Sequence, residues 1–79
     1  MAYTFDYTLL RMFIEKHFQS EKEFAQFLGI SEGALQARLQ SIVPFTQWEI
    51  DVTACYATNK ILTADQIHRL FFTHAVRKA

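Results

Sequence analysis

Few side chains of this 79-residue sequence belong to the types that perform catalysis or bind metals. The candidates are three histidines and one cysteine, namely His17, His68, His74 and Cys55. His68 and His74 are six residues apart, so one helical face does not present both, and zinc sites pair their ligands at shorter spacings. No glycine-rich phosphate loop and no recognisable nucleophile motif is present. The sequence therefore predicts no catalytic residue, metal, cofactor or small-molecule substrate, and the protein is not expected to be an enzyme.

Polar side chains in the first half of the chain could instead contact DNA. Gln36 and Gln40 are four residues apart and would share a helical face, and a glutamine amide can bond N6 and N7 of adenine. The carboxylate of Glu32 could accept a hydrogen bond from the amino group of cytosine. Backbone amides just after Ser20, at the start of a helix, could hold a phosphate, and Lys22 would add positive charge. The predicted DNA-binding residues are Ser20, Lys22, Ser31, Glu32, Gly33, Gln36 and Gln40. On the helix that follows Ser31, the positions expected to be exposed are Ser31, Glu32, Gly33, Gln36, Ala37 and Gln40.

Helix start and stop signals divide the chain into five short helices. A serine, threonine or aspartate that can cap a helix stands before each of them. Ser20 and Thr46 also have a glutamate three residues later, as in a capping box, and Gly29 is expected to end the second helix in the left-handed conformation. The predicted helices cover about 7–17, 21–28, 32–40, 47–58 and 64–70, and a short tail follows from about 71 to 79. We therefore predict an all-α fold.

Composition restricts the size, class and location of the protein. A chain of 79 residues is expected to form a single domain, residues 1–79, and 51% hydrophobic residues make it too apolar to be disordered. The single cysteine excludes an internal disulfide, which fits the reducing cytoplasm. No apolar run approaches the roughly 20 residues that cross a bilayer, and no basic residue precedes an apolar stretch at the start, as a secretory signal requires. A cytoplasmic protein without membrane contact is expected.

The spacing of small and apolar residues in the segment of about 20–40 is typical of a helix-turn-helix. Ala25 is small where the two helices would cross, Gly29 permits the turn, and Ile30 would fill the corner. Leu35 would anchor the second helix to the core. Many helical hairpins also contain Ala, Gly and Leu, so the spacing alone fits a DNA-reading unit and a plain hairpin equally well.

Three strings of residues carry a resemblance to known proteins: Phe24-Ala25-Gln26-Phe27-Leu28-Gly29-Ile30-Ser31-Glu32, Val43-Pro44-Phe45-Thr46-Gln47-x-Glu49-Ile50, and Phe71-Phe72. From about Asp6 to Val76 the chain resembles small Cro-like and repressor-like helix-turn-helix proteins of temperate phages of Gram-positive bacteria, which include a domain of unknown function. The resemblance implies a five-helix lambda-repressor-like fold and a part in the lysis–lysogeny switch of a bacterial host cell. It departs at Gln40-Ser41-Ile42, where the family tends to have a polar-Gly-Lys turn, and at Ala37, where it tends to have a basic residue.

The sequence allows two functions, and the resemblance together with the glutamine-rich face of the third helix favours the first of them. The first is a phage-type transcription regulator, Cro-like or a modulator of the main repressor, that binds double-stranded operator DNA as a homodimer through the helix from Ser31 to Gln40. The second is a protein-interaction module, an antirepressor or repressor modulator, that binds another regulator and has weak DNA affinity of its own.

The charge distribution favours the second function. The chain as a whole has eight basic and eight acidic residues, whereas DNA-binding domains are commonly basic. Between residues 20 and 40, two cations face three carboxylates, a local net charge of −1, from Lys22, Arg38, Glu21, Glu23 and Glu32. After Ile61 the net charge is +2, from Arg69, Arg77 and Lys78 against Asp65. That C-terminal stretch could follow a DNA backbone or could be a solvated chain end.

The predicted fourth helix has two apolar stripes. Ile50, Ala54, Ala57 and the following Ile61 lie on one side, and Trp48, Val52, Cys55 and Tyr56 lie on the other. A small surface helix needs only one such stripe for its core, and tryptophan and tyrosine are common at interfaces. The predicted partner interface is therefore Trp48, Val52 and Tyr56, which would contact a second copy or a phage repressor. In the alternative, helix 1 covers one side and the Phe71-Phe72 tail covers the other.

Overall fold

Five α-helices make up most of the described structure, which is a computed structural model covering residues 5–73. They are α1 (Thr8–Phe18), α2 (Glu21–Leu28), α3 (Glu32–Leu39), α4 (Gln47–Tyr56) and α5 (Ala64–Phe71). Within residues 5–73 no β-strand forms, and the all-α prediction is confirmed there. Helix bounds agree with the predicted ones to within one residue, except that α4 ends two residues early, at Tyr56.

Side-chain caps explain where the helices begin. At four of the five helices a serine or threonine hydroxyl accepts a hydrogen bond from the amide three residues later; these caps are Ser20, Ser31, Thr46 and Thr63. The capping box predicted at Thr46 is complete, because the Glu49 carboxylate accepts the Thr46 amide at 3.0 Å. At Ser20 only the hydroxyl half forms, since the exposed Glu23 side chain makes no return bond among the described residues. Local sequence therefore positions both α2 and α3.

The core lies where α1 packs on α2 and α5, and where α2 packs on α3 and α4. Its largest fully buried apolar side chains are Leu10, Ile14, Phe24, Leu28, Leu35 and Phe71. Phe27 extends this core, with its ring centroid 5.0 Å from that of Phe18. The Phe71 ring packs edge-on against Phe45, at a centroid distance of 5.1 Å. Phe71 is therefore a core residue at the end of α5, and it belongs to neither a tail nor a cover over α4.

Ser41 lies just after α3 and has a positive φ of 61°. A non-glycine residue is strained in this left-handed conformation. Its hydroxyl lies between the two backbone groups of Phe5: it accepts the Phe5 amide at 3.2 Å and donates to the Phe5 carbonyl at 3.5 Å. These bonds tie the chain before α1 to the end of α3 and offset part of the strain.

The two glycines provide a test of how the turn after α2 is made. Gly29 has a φ of 74°, whereas Gly33 lies inside α3, and a Cβ on either residue would meet no atom within 4 Å. We expect Gly29→Ala to destabilise the protein by about 1–2 kcal/mol, because alanine is strained at positive φ. Gly33→Ala should stabilise it by about 0.5 kcal/mol, because alanine loses less entropy in a helix. Urea unfolding followed by circular dichroism measures both, and a shift of both variants in the same direction would contradict this explanation.

Candidate nucleic-acid interface

The turn between α2 and α3 is held by backbone hydrogen bonds at Gly29. The Gly29 amide donates to the Gln26 carbonyl at 3.1 Å, and the Ile30 amide donates to the Ala25 carbonyl at 3.0 Å. This is the pattern of a Schellman motif, in which a left-handed glycine ends a helix. Ala25 is buried and Ile30 packs against the core, as the spacing predicted. Local hydrogen bonds thus position the end of α2 relative to the start of α3. We call residues 20–40 the α2–α3 unit.

Most of the predicted DNA-binding residues are exposed. Ser20 and Lys22 lie at the start of α2, Ser31, Glu32 and Gly33 lie at the start of α3, and Gln40 follows its last residue. The hydroxyl oxygens of Ser20 and Ser31 already accept helical amides, at 3.2 and 3.1 Å. Each hydroxyl hydrogen remains able to donate to a phosphate oxygen.

Gln36 is the exception, because it is half-buried and its amide is already hydrogen-bonded. Its Nε2 donates to Glu21 Oε1 at 2.5 Å, and Glu21 Oε2 accepts a hydrogen bond from Arg11 Nη1 at 2.9 Å. The network joins α1, α2 and α3. The prediction that Gln36 is exposed beside Gln40 was wrong, because the packing of α2 on α3 brings Glu21 within reach of it. Reading a base with Gln36 would require this bond to break.

Arg38 is largely withdrawn from the surface of the α2–α3 unit. Its Nε donates to Glu49 Oε1 at 2.8 Å, and its Nη1 donates to the Ala34 carbonyl at 3.0 Å. Only 14% of the Arg38 side chain and 5% of the Glu49 side chain are exposed. The same Glu49 oxygen completes the cap of α4 at Thr46. The pair therefore joins α3 to α4, a role that sequence reasoning missed.

The exposed surface of the α2–α3 unit is consequently acidic. Arg38 is buried against Glu49, and Glu21 is paired with Arg11 outside the unit. The charged residues that remain exposed on the unit are Lys22, Glu23 and Glu32. Protein–DNA affinity depends largely on cations that displace counterions from phosphates. The electrostatic contribution of this surface to DNA affinity is therefore weak.

The outer face of α4 is apolar and open. Trp48 is 60% exposed and Tyr56 is 75% exposed. Cys55 is also exposed, and Val52 between them is half-buried. Ile50 and Ala54, on the opposite side of α4, are buried in the core. The alternative in which both sides of α4 are covered is wrong for the described part of the chain, since Phe71 packs beside Phe45 instead.

Within residues 5–73, His17, His68 and Cys55 form no cluster that could hold a metal ion. His17 and His68 are exposed, and the His17 ring lies against Phe13 with centroids 4.5 Å apart. Residues 5–73 contain no cluster of three or more groups that could hold a metal ion. The C-terminal cations Arg77 and Lys78, like His74, lie outside the described residues.

The helices of residues 5–73 are short, and none is long and apolar enough to cross a membrane. In comparisons with known proteins, no family model matches this chain and no curated protein is significantly similar to it.

Proposed function

We propose that this protein is a small helix-turn-helix transcription regulator with a lambda-repressor-like fold, which binds double-stranded operator DNA as a homodimer. The observation that carries the proposal is the exposure of the first turn of α3 together with the first turn of α2, on either side of the Gly29 turn. In a helix-turn-helix the start of the second helix meets base edges, while the first helix crosses the phosphate backbone. The resemblance to phage proteins supports a part for this activity in the lysis–lysogeny switch, in the cytoplasm of a bacterial host.

The exposed residues divide into two roles. Glu32 and Gln40 offer side chains for base edges, and Gly33 permits close approach of the helix to the groove. Ser20, Lys22 and Ser31 offer donors for phosphate oxygens. Gln36 acts through Glu21: its bond fixes α3 against α2, and it positions the reading helix rather than contacting a base.

Selection from random DNA duplexes tests this function. We expect a roughly palindromic motif, with half-sites about one helical turn apart, to be enriched at about 50 mM salt and to weaken strongly at about 200 mM. Failure to enrich any motif at the lower salt concentration would refute direct DNA reading by the protein.

Variants then assign the roles on the selected duplex. Gln40→Ala should relax preference at one base position by about 1–3 kcal/mol, whereas Gln36→Ala should leave the motif unchanged. In a plot of the logarithm of the binding constant against the logarithm of the salt concentration, Lys22→Ala should make the slope shallower by about one unit. Lys60→Ala is the matched control, because Lys60 is also exposed but lies between α4 and α5, and it should leave the slope unaltered.

Burial of Arg38 and exposure of Trp48 and Tyr56 favour a second candidate function. In this alternative the protein is an antirepressor or repressor modulator that binds another regulator, or a second copy of itself, through the outer face of α4. The face combines two large aromatic side chains with the half-buried Val52, and aromatic residues dominate the binding energy of many interfaces.

Replacing Trp48 tests the α4 face. We expect Trp48→Glu to reduce the mass measured by light scattering from that of a complex to that of a monomer, because a buried charge opposes association. The mass is measured for the protein alone and with a phage repressor added. Cys55→Ser, on the same helix, keeps the aromatic residues and should retain the complex. An unchanged mass for Trp48→Glu in both experiments would exclude this face as the interface.

A further inference from the structure

A groove separate from both surfaces described above lies between α1 and the connection from α4 to α5. It has a volume of about 1270 Å³. Its apolar lining includes Leu9 and Met12 on α1 and Ile61 in the connection, and Met12 and Ile61 are 60% and 74% exposed. Single exposed apolar residues are common on protein surfaces. Three that line one concave surface form a potential contact area for a partner.

The backbone holds this apolar surface in place. Leu10 and Ile14 direct α1 into the core, which leaves Leu9 and Met12 on the outer side of the same helix. The Leu62 amide donates to the Ala54 carbonyl at 2.9 Å. That bond anchors the connection next to Ile61, so the exposed isoleucine belongs to a segment with a defined backbone position.

Positive charge surrounds the apolar lining. Lys16, Lys60 and Arg69 line the groove, together with one carboxylate, Glu15. The structure pairs none of these three cations with a carboxylate of residues 5–73. The groove thus has a net charge of +2 from these four residues, although the whole chain is neutral.

We propose that this groove binds an acidic amphipathic helix of a partner protein. The apolar face of such a helix would cover Leu9, Met12 and Ile61, as amphipathic helices do when they bind hydrophobic grooves. Aspartate or glutamate on its flanks would pair with Lys16, Lys60 and Arg69 and would set its specificity. A DNA backbone would satisfy the cations but would leave the apolar lining without a partner. The proposal is independent of DNA binding and of the outer face of α4.

A pair of designed peptides tests this proposal on the full chain. The probe is a fluorescein-labelled peptide of about 18 residues, or five helical turns, with leucine on one face and glutamate on the other. The matched peptide has lysine in place of every glutamate. We expect fluorescence anisotropy to show the glutamate peptide binding at least about tenfold more tightly, a difference of about 1.4 kcal/mol.

Variants locate the peptide on the protein. Met12→Asp should abolish binding, and the double variant Lys60→Glu/Arg69→Glu should reverse the preference between the two peptides. Trp48→Ala, outside the groove, should bind like the parent. All of these positions are exposed, so circular dichroism should show each variant folded.

Three results of the peptide-binding experiments would overturn the proposal. They are equal affinity for the two peptides, loss of binding in Trp48→Ala, and binding that Met12→Asp leaves intact. The mass of the protein in solution gives a further test. If the mass rises with concentration for the parent but not for Met12→Asp, a second copy occupies the groove and the proposal is overturned.

Discussion

Replacing Arg38 with methionine is expected to destabilise the protein by about 3–5 kcal/mol, as loss of one partner from a buried ion pair does elsewhere. The variant would leave the Glu49 carboxylate almost fully buried without its cation. It would also remove the bond from Arg38 to the Ala34 carbonyl. Small domains have only a few kcal/mol of net stability, so much of the variant should be unfolded at room temperature.

Urea unfolding of a double-mutant cycle measures this pair. The cycle combines Arg38→Met, Glu49→Gln and the double variant, and we expect a coupling energy above about 1 kcal/mol. Arg11→Met is the matched control, because the Arg11–Glu21 pair has side chains 42% and 33% exposed. Exposed ion pairs contribute about 0.2–1 kcal/mol to stability. The free energy of unfolding of Arg11→Met should therefore fall by no more than that. Equal losses in the free energy of unfolding for Arg38→Met and Arg11→Met would contradict the explanation that burial makes the Arg38–Glu49 pair the more important of the two.

Replacing Leu35 with alanine should destabilise the protein by about 2–5 kcal/mol, the range for truncation of a buried leucine. The side chain is fully buried, and Leu35 and Leu39 are the two buried residues of α3. An eight-residue helix is unstable by itself in water, so α3 depends on these two contacts for its position. Truncation of Leu35 should therefore also abolish the binding of any ligand that α3 contacts.

Thermal and urea unfolding of Leu35→Ala are compared with those of Leu9→Ala. Leu9 is 44% exposed on α1, and its truncation should change stability by less than about 1 kcal/mol, because surface substitutions have small effects. If the selected operator duplex binds the parent, Leu35→Ala should lose that binding and Leu9→Ala should retain it. A stable Leu35→Ala variant would show that α3 is held by contacts other than its leucines.

The starts of the helices could be predicted because their causes are local. Ser20, Ser31, Thr46 and Thr63 each satisfy an amide three residues away, and Gly29 adopts a backbone conformation that other residues resist. These interactions involve neighbours in the chain, so their residue types and spacing are visible in the sequence. The same reasoning placed Ala25 and Leu35 in the core.

The candidate site could be predicted only in part. Periodicity placed Gln36 and Gln40 on one face, but it could not show that Glu21, fifteen residues before Gln36, would accept a hydrogen bond from its amide. The local sequence presents Arg38 as a surface cation, but Glu49, eleven residues later, lies beside it in the folded chain. The one available signal was the position of Glu49 in a capping box, which places that carboxylate at the start of α4.

The sequence by itself determined the all-α class, the beginnings of the helices and the Gly29 turn, because these depend on interactions over three to five residues. Tertiary structure alone decided which polar groups stay free for a ligand. It paired Gln36 with Glu21, buried Arg38 against Glu49, and placed Phe71 in the core while Trp48 stayed exposed. Each outcome depends on which helices pack together, and residues distant in the chain meet only when that packing is complete.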